Sequence, residues 1–459
     1  MPSTLGVVAS GEDVLNDAVL WLDASRSVAG ENTMVNYGKG GSALNAQYGS
    51  TGGSDTNDPL LLTHAGTNYL YLPGPNSNYA STPSAAPLDV TGDLEVVLRV
   101  ASDDWTPATQ YVLISKRSAT NLSWQLSLIT TGVIQFSFNN GTVNLFADSA
   151  MTAGTPLTDG TAYWIRFRRV ASTGAVTLES APDQPTEPSS YTQTWTSSGT
   201  RTAGAMAAQA VELAVGASRG GIVSDCAQAK FYRAIVRNGI GGTTVFDANF
   251  TTGITSGGQT TFTESSANAA TVTINRATSG RKSVAVVRPV LLFGTDDYLE
   301  VADNDLLDFG AAEPFTVLAV HRQWATFVGS GSVVMKKTAT GATGVGWALR
   351  SGAGTPAQVI FDGYDGTTVA VPASPSRTAG ATSITIGLAS TTQFTTYLGN
   401  TAGTPATRPP NSIANSEVMR VGRASGVTTS YNDMELVAVA VWRRVLSTNE
   451  IATVVARYA

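Results

Sequence analysis

Two stretches of this chain repeat one pattern, and the repeat limits the fold more than any other feature. Leu70 to Trp105 reads LYLPGPNSNYASTPSAAPLDVTGDLEVVLRVASDDW, and Leu291 to Trp324 reads LLFGTDDYLEVADNDLLDFGAAEPFTVLAVHRQW. In both, a tyrosine on a polar turn (Tyr79, Tyr298) precedes a loop ending in Leu-Asp (Leu88-Asp89, Leu307-Asp308), a short turn and an alternating apolar strand. From Tyr79 to Trp105 and from Tyr298 to Trp324 the interval is the same, 26 residues. The order then continues through a lysine (Lys116; Lys336), a tryptophan (Trp124; Trp347), Val-Gly (Val215-Gly216; Val421-Gly422) and an aromatic-Arg pair (Tyr232-Arg233; Trp442-Arg443). A chain of 459 residues is too long for one ordinary core, and the repeat divides it into two large domains.

Short β-rich runs fill both halves, among them LEVVLRVA, YVLISK, WQLSLI and VIQFSF in the first and FTVLAVHRQW, SVVMKK and MELVAVAVWRRV in the second. Turns rich in Gly, Pro, Asn and Asp separate them, which is the signature of antiparallel sandwiches. Only 14% of the residues are charged, fewer than helix-rich chains usually carry. Asn139-Asn140-Gly141 predicts a hairpin turn. In YWIRFRRV, alternation predicts Tyr163, Ile165 and Phe167 inside and Trp164, Arg166 and Arg168 in water. Trp105, Trp124, Trp324, Trp347 and Trp442 are expected in the cores, and Trp324→Ala is expected to unfold the second domain. At the end of the chain, Ser447 and Glu450 form a capping box for a helix whose apolar face carries Ile451, Val454, Val455 and Tyr458.

The expected architecture is all-β. Residues 1–60 are an N-terminal arm with a Gly-rich segment, 61–280 a first antiparallel sandwich with linker, and 281–459 a second sandwich closed by the short C-terminal helix. The arm carries an apolar patch, Val19 to Leu22, expected to pack on the first sandwich or on a neighbouring subunit.

Several function classes are disfavoured. The formal net charge is −6 without a basic run, so no nucleic-acid partner is expected. No apolar run is long enough to insert in a membrane. The N-terminus lacks a basic region followed by an apolar stretch, so the expectation is synthesis in a cytoplasm without a signal peptide. One cysteine, Cys226, precludes an intramolecular disulfide. No Glu-x-Asp-x-x-Glu pattern supplies paired carboxylates for glycoside hydrolysis. The two histidines, His64 and His321, have no GxSxG partner, so no catalytic residue is expected and the protein is read as no enzyme.

The motifs FGTDDYLEV, PFTVLAVHRQW, GWALR, TTYLG, VMRVGR and Tyr431-Asn432-Asp433 leading into ELVAVAVWRRVLSTNEI resemble the laminin-G-like, concanavalin-A-like jelly roll. The first half is similar but has Asn238-Gly239-Ile240-Gly241-Gly242 in place of the closing Leu-Ser-x-x-Glu-Ile. With WLDASRSV, GGSALNAQYGSTGGSDTNDPLLL and the GRK-to-LLFGTDDYLEV join, the chain also resembles virion proteins of tailed actinobacterial phages of the minor-tail-protein type. That resemblance implies two tandem jelly rolls, a place in the virion, other virion subunits as partners, and a homo-oligomeric or multicopy assembly. The alternatives are a carbohydrate-binding lectin module and a capsid-surface decoration protein. Some jelly rolls of this kind hold calcium at the rim, which points to Asp296, Asp297, Asn432 and Asp433. The other reading of those four is turn capping through side-chain hydrogen bonds. For a host-surface glycan, exposed aromatics are the candidates, Tyr364 in FDGYDG and Tyr79.

Overall fold

In the computed structural model, residues 10–459 are described except 52, 75–76, 118–121, 143, 151–156, 197–202, 219–224, 325–330, 340–343, 352–357 and 425–431, with backbone alone at 131, 144–150 and 193–196. Tyr431 and the first nine residues therefore lie outside the described residues. The chain forms two compact units. One is nearly continuous in sequence, His64–Thr278 with Lys282–Val287. The other is split, and joins the described part of Met1–Thr63 to Ser279–Arg281 and Arg288–Ala459. Each is an antiparallel β-sandwich, as the alternating strands predict.

In the continuous sandwich one sheet runs Gln193–Thr196, Val176–Pro182, Tyr163–Arg169, Leu94–Ser102, Gln228–Asn238, Tyr69–Pro73, Val284–Val286, with Thr243–Asn249 also on Gln228–Asn238. The facing sheet runs from Asn144–Ala150 through Val133–Asn139, Leu122–Ile129, Tyr111–Arg117, Leu213–Val215, Tyr79–Thr82 and Thr271–Asn275 to Thr261–Thr263. Residues such as Leu98, Trp124, Phe136, Phe167 and Phe231 fill the space between the sheets. The Asn139-Asn140-Gly141 turn is a hairpin, with Asn139 opposite Asn144 and Gly141 at φ +94°. Trp164 departs from the simple alternation. It is buried on the outer face of its sheet with Val97, Ala181 and Ile235, and Tyr191 packs against that cluster.

The split sandwich repeats this plan. Its first sheet runs Thr401–Ala402, Gln393–Leu398, Thr382–Ala389, Phe315–Gln323, Met434–Trp442, Val290–Leu292, Leu60–Leu62, with Leu20–Asp23 also on Met434–Trp442. Its second runs from Thr33–Met34 through Ala46–Tyr48, Leu299–Val301, Met419–Val421, Ser332–Lys337, Gly346–Ser351 and Val359–Tyr364 to Val369–Ala370. The expected N-terminal arm is therefore corrected. Leu20, Leu22, Met34, Leu44 and Tyr48 are core residues of the C-terminal sandwich, and the patch packs there rather than on the first sandwich. The physical reason lies in the strand edges. In the continuous sandwich Thr243–Asn249 folds back on Gln228–Asn238, whereas Met434–Trp442 runs on into the helix Thr448–Tyr458, and Leu20–Asp23 covers that edge.

The repeated residues have structural causes. Lys116 and Lys336 are fully buried, and each meets the aspartate of its own Leu-Asp: Lys116 Nζ is 2.9 Å from Asp89 Oδ1, and Lys336 Nζ is 2.8 Å from Asp308 Oδ1. A buried ammonium needs that carboxylate and further acceptors, which Gln209 O and Val211 O supply to Lys116, and Asp303 and Asn415 O to Lys336. Gly216 and Gly422 bend at φ +82° and +84°, and a Cβ there would strike Leu72 or Phe293.

Two parts of the sequence alignment do not survive. The strand begins at Leu94 after Asp89 but at Phe315 after Asp308, a turn longer by two residues. Trp105 therefore lies three residues beyond its strand and is buried, while Trp324 lies one residue beyond and is only half-buried, donating from Nε1 to Glu435 Oε1. The equal interval of 26 residues does not mark equivalent tryptophans. The aromatic-Arg pairs are not equivalent either. Tyr232 is the residue skipped in the pairing with Leu94–Ser102, and the skipped residue of the other sandwich is Val437. The helix Thr448–Tyr458 does form with Ser447 and Glu450 as its capping box, and Ile451, Val454, Val455 and Tyr458 are buried.

Candidate functional site

At one rim of the split sandwich, the Gly-rich segment that follows the strand Ala46–Tyr48 is a tightly bonded loop. The chain turns at Gly49, φ +60°, where a Cβ would stand 2.5 Å from Asp58 Oδ1 and 2.6 Å from Asp55 Oδ1. Glycine thus lets two carboxyls close over the backbone. Asp55 accepts from Asn57 N (2.7 Å), Ser50 Oγ (3.0 Å) and Thr51 Oγ1 (3.1 Å), and Asp58 Oδ2 accepts from Asp55 N (2.9 Å). The loop is docked by Gly49 N on Tyr298 O, Tyr298 N on Asn57 O, and Asn57 Nδ2 on Asp296 O. Arg281 completes the rim, donating from Nη2 to Asp58 O at 2.6 Å and from Nε to Asp297 Oδ2 at 2.9 Å.

Between this loop and residues 28–32 lies a cleft of about 360 Å³. Tyr48, Glu31, Asp55, Asp58 and Arg281 give it polar walls, and Val28, Pro59 and Leu61 give it apolar ones. The buried Tyr48 Oη has the Ser27 side chain beside it, and Asp58 Oδ1, a buried polar atom in the lining, receives no protein hydrogen bond. Such atoms are uncommon, because an unsatisfied buried polar group costs about 1–3 kcal/mol. Burial raises the Tyr48 phenol above its usual range, the Ser27 side chain works against this, and Glu31 and Asp58 add to the rise, so it stays protonated. Burial also raises the Asp58 carboxyl, the Asp55 charge adds to this, and Arg281 works against it. Burial acts to raise Asp55 too, but the bonds from Asn57, Ser50 and Thr51 together hold it low.

The residues singled out in the sequence fall partly on this rim. Asp297 is buried, and its Oδ2 accepts from Arg281 Nε and from Gly294 N at 2.7 Å. Asp296 contributes its carbonyl to Asn57. Asn432 is buried and accepts from Gln323 Nε2 at 2.7 Å, and Asp433 Oδ2 accepts from Gly280 N at 3.1 Å. Protein donors engage Asp297 Oδ2, Asn432 and Asp433, while Asp297 Oδ1 is buried without one. Among the described residues no three acids, histidines or cysteines converge. Tyr364 is half-buried with its hydroxyl on Gly366 O, Tyr79 is half-buried opposite Asn275, and the two lie in different units.

The other chemically capable groups are confined. His321 is buried with Nε2 3.3 Å from Thr385 Oγ1, and burial, helped by Arg377, lowers its pKa to about 3. His64 Nε2 meets Asn68 Oδ1 at 2.9 Å. Cys226 is buried, and burial raises its thiol. The pair Asp55 and Asp58 went unread in the sequence, where SDTND sits within a Gly/Ser-rich run. An aspartate three residues from another, next to a strand ending in tyrosine, was the available signal.

No family model matches the chain, and no curated protein matches it. Among solved structures, domains LG4-5 of the mouse laminin alpha1 chain align with a TM-score of 0.31 at 12% identity, covering 86% of this chain and 96% of that one. The CBM40 of the Ruminococcus gnavus IT-sialidase, solved with alpha2,3 sialyllactose, aligns at 0.27 and 11%, covering 39% and 92%. Domain 4 of an extracellular GH43 arabinanase from Geobacillus stearothermophilus, solved with arabinotriose, aligns at 0.29 and 8%, covering 37% and 77%. No residue role is transferred from them, and the fold described above stands on the chain's own sheets.

Proposed function

We propose that the protein is a non-enzymatic binding and structural module whose split sandwich takes a neutral, hydroxyl-rich ligand in the cleft over Tyr48 and Asp58. The observation that carries this reading is the buried Asp58 Oδ1, an acceptor without a protein donor, beside the Tyr48 phenol in a cleft with apolar walls. Neighbouring sugar hydroxyls both give and accept hydrogen bonds, and so complement such a pair. Hydrolysis is the weaker reading. The two Oδ1 atoms both lie against Gly49 and the two carboxyls meet as a hydrogen-bonded pair, without the roughly 5–5.5 Å separation that retaining glycosidases use. Asp55 is further committed to its own loop, where its oxygens accept from Asn57, Ser50 and Thr51.

The setting proposed for this binding is a tailed-phage virion, as a minor-tail-type protein beside other virion subunits and in several copies, with a host-surface glycan as ligand. The support for the setting is the sequence resemblance. Display in several copies would raise weak affinities on the order of 100-fold. A glycan array probed with the full chain, followed by titration of Tyr48→Phe and Asp58→Asn, tests the cleft. Loss of binding in both variants with unchanged melting is expected, and binding retained in both would place the ligand elsewhere. Immunogold labelling of intact particles tests the setting.

A further inference from the structure

Residues 20–62 and 243–286 occupy the same positions in the two sandwiches. Leu20–Asp23 pairs with Met434–Trp442 as Thr243–Asn249 pairs with Gln228–Asn238. Ala46–Tyr48 pairs with Leu299–Val301 as Thr271–Asn275 pairs with Tyr79–Thr82. Leu60–Leu62 pairs with Val290–Leu292 as Val284–Val286 pairs with Tyr69–Pro73. Their tethers differ. Segment 243–286 follows Gln228–Asn238 through the short turn after Asn238, which ties its strands to their own sandwich, although Ser279–Arg281 within it belong to the other unit. Segment 10–63 is joined covalently to His64, the first residue of the other unit, and the whole of that unit lies between Thr63 and Arg288 in sequence.

The split sandwich cannot dispense with such a segment. Without it, the core would lose Leu20, Leu22, Met34, Leu44 and Tyr48, and three strands would lose a paired edge. Unpaired edges and bare apolar faces seek a partner. Recognition is also specific: Trp21 Nε1 donates to Tyr458 Oη at 3.2 Å, Tyr458 Oη donates to Asp23 Oδ2 at 2.9 Å, and Trp442 Nε1 donates to Val14 O at 2.8 Å. Every one of these contacts can be made by the same segment of another copy.

We propose that residues 10–63 are a strand-exchange element, by which one copy of the chain completes the C-terminal sandwich of the next in a head-to-tail contact. Closure on the chain's own sandwich competes with exchange at an effective concentration on the order of millimolar or below. Copies held side by side reach that range. The proposal does not depend on the cleft's ligand.

The test uses the full chain. Gln47 and Glu300 are paired across the segment boundary and both are half-exposed, so a Gln47→Cys/Glu300→Cys variant can form a disulfide without disturbing the core. Refolded dilute and then oxidised, it should run as a monomer on a non-reducing gel. Refolded concentrated, it should give covalent dimers and a ladder, several-fold enriched over the dilute sample. Thr273→Cys/Ser81→Cys, the equivalent pair of the continuous sandwich, should stay intrachain at both concentrations. Only intrachain links in the first variant, oligomers that carry no interchain link, or equal ladders from both pairs would each overturn the proposal. Should Gln47→Cys/Glu300→Cys fail to fold, the Leu60 and Leu292 pair reads the same boundary.

Discussion

The two sandwiches share a strand plan, yet their rims are built from different residues. Asn78 and Asp297, each just before the tyrosine of the repeat, are both buried. In the continuous sandwich Asn78 Oδ1 closes the rim by accepting from Ala277 N, Ser283 N and Ser283 Oγ. In the split sandwich Asp297 works through Arg281, which reaches Asp58 O and leaves a cleft beside it. Tyr48 stands opposite Leu299 where Ile274 stands opposite Ala80, so a phenol replaces an alkyl group at the wall of that cleft. Equivalent pairing also sets His321 opposite Leu436 where Val100 stands opposite Phe231. The shared framework folds both domains, and the polar substitutions belong to one of them.

That contrast can be broken domain by domain. The largest effect is expected for Trp442→Ala, which removes a fully buried ring and its bond to Val14 O and should cost about 3–5 kcal/mol. Calorimetry should show the transition of the split sandwich falling while the other stays.

Acid comes next. His321 is held neutral with a pKa of about 3 against an ordinary 6.5. A depressed folded value means the unfolded chain binds the proton first, so its stabilisation is complete above pH 6.5 and declines as pH falls toward 3. The loss, with a ceiling on the order of 4 kcal/mol, should appear in the split sandwich and flatten in His321→Gln. An equal acid response of wild type and variant would refute it.

Lys336→Met should cost roughly 3 kcal/mol, because Asp303 and Asp308 lose their shared cation. Lys116→Met, which strands one aspartate, should cost less in its own domain, and paired urea titrations would rank the two. Trp324→Ala, half-buried with one bond to Glu435, should cost about 1–2 kcal/mol and leave a folded domain. The smallest effect is expected from calcium or EDTA, for which melting should not move.

Much of the framework was legible in the sequence. Strand alternation, the hairpin at Gly141 and the capping box of Ser447 and Glu450 are local, and local chemistry sets them. The Leu-Asp and lysine of the repeat were visible as a recurrence, though not as ion pairs, since roughly thirty residues of chain separate the partners. The cleft was not legible: Asp55 and Asp58 read as loop residues until Gly49, Tyr298 and Arg281 are seen to hold them over Tyr48.

The sequence by itself determined the class of fold, two antiparallel sandwiches, because periodicity and turn chemistry act within a few residues. Only the tertiary structure decided which sandwich owns residues 10–63. Leu20, Trp21 and Leu22 would suit any apolar edge, and the choice fell to Met434–Trp442, which runs on into a helix instead of folding back as Gln228–Asn238 does.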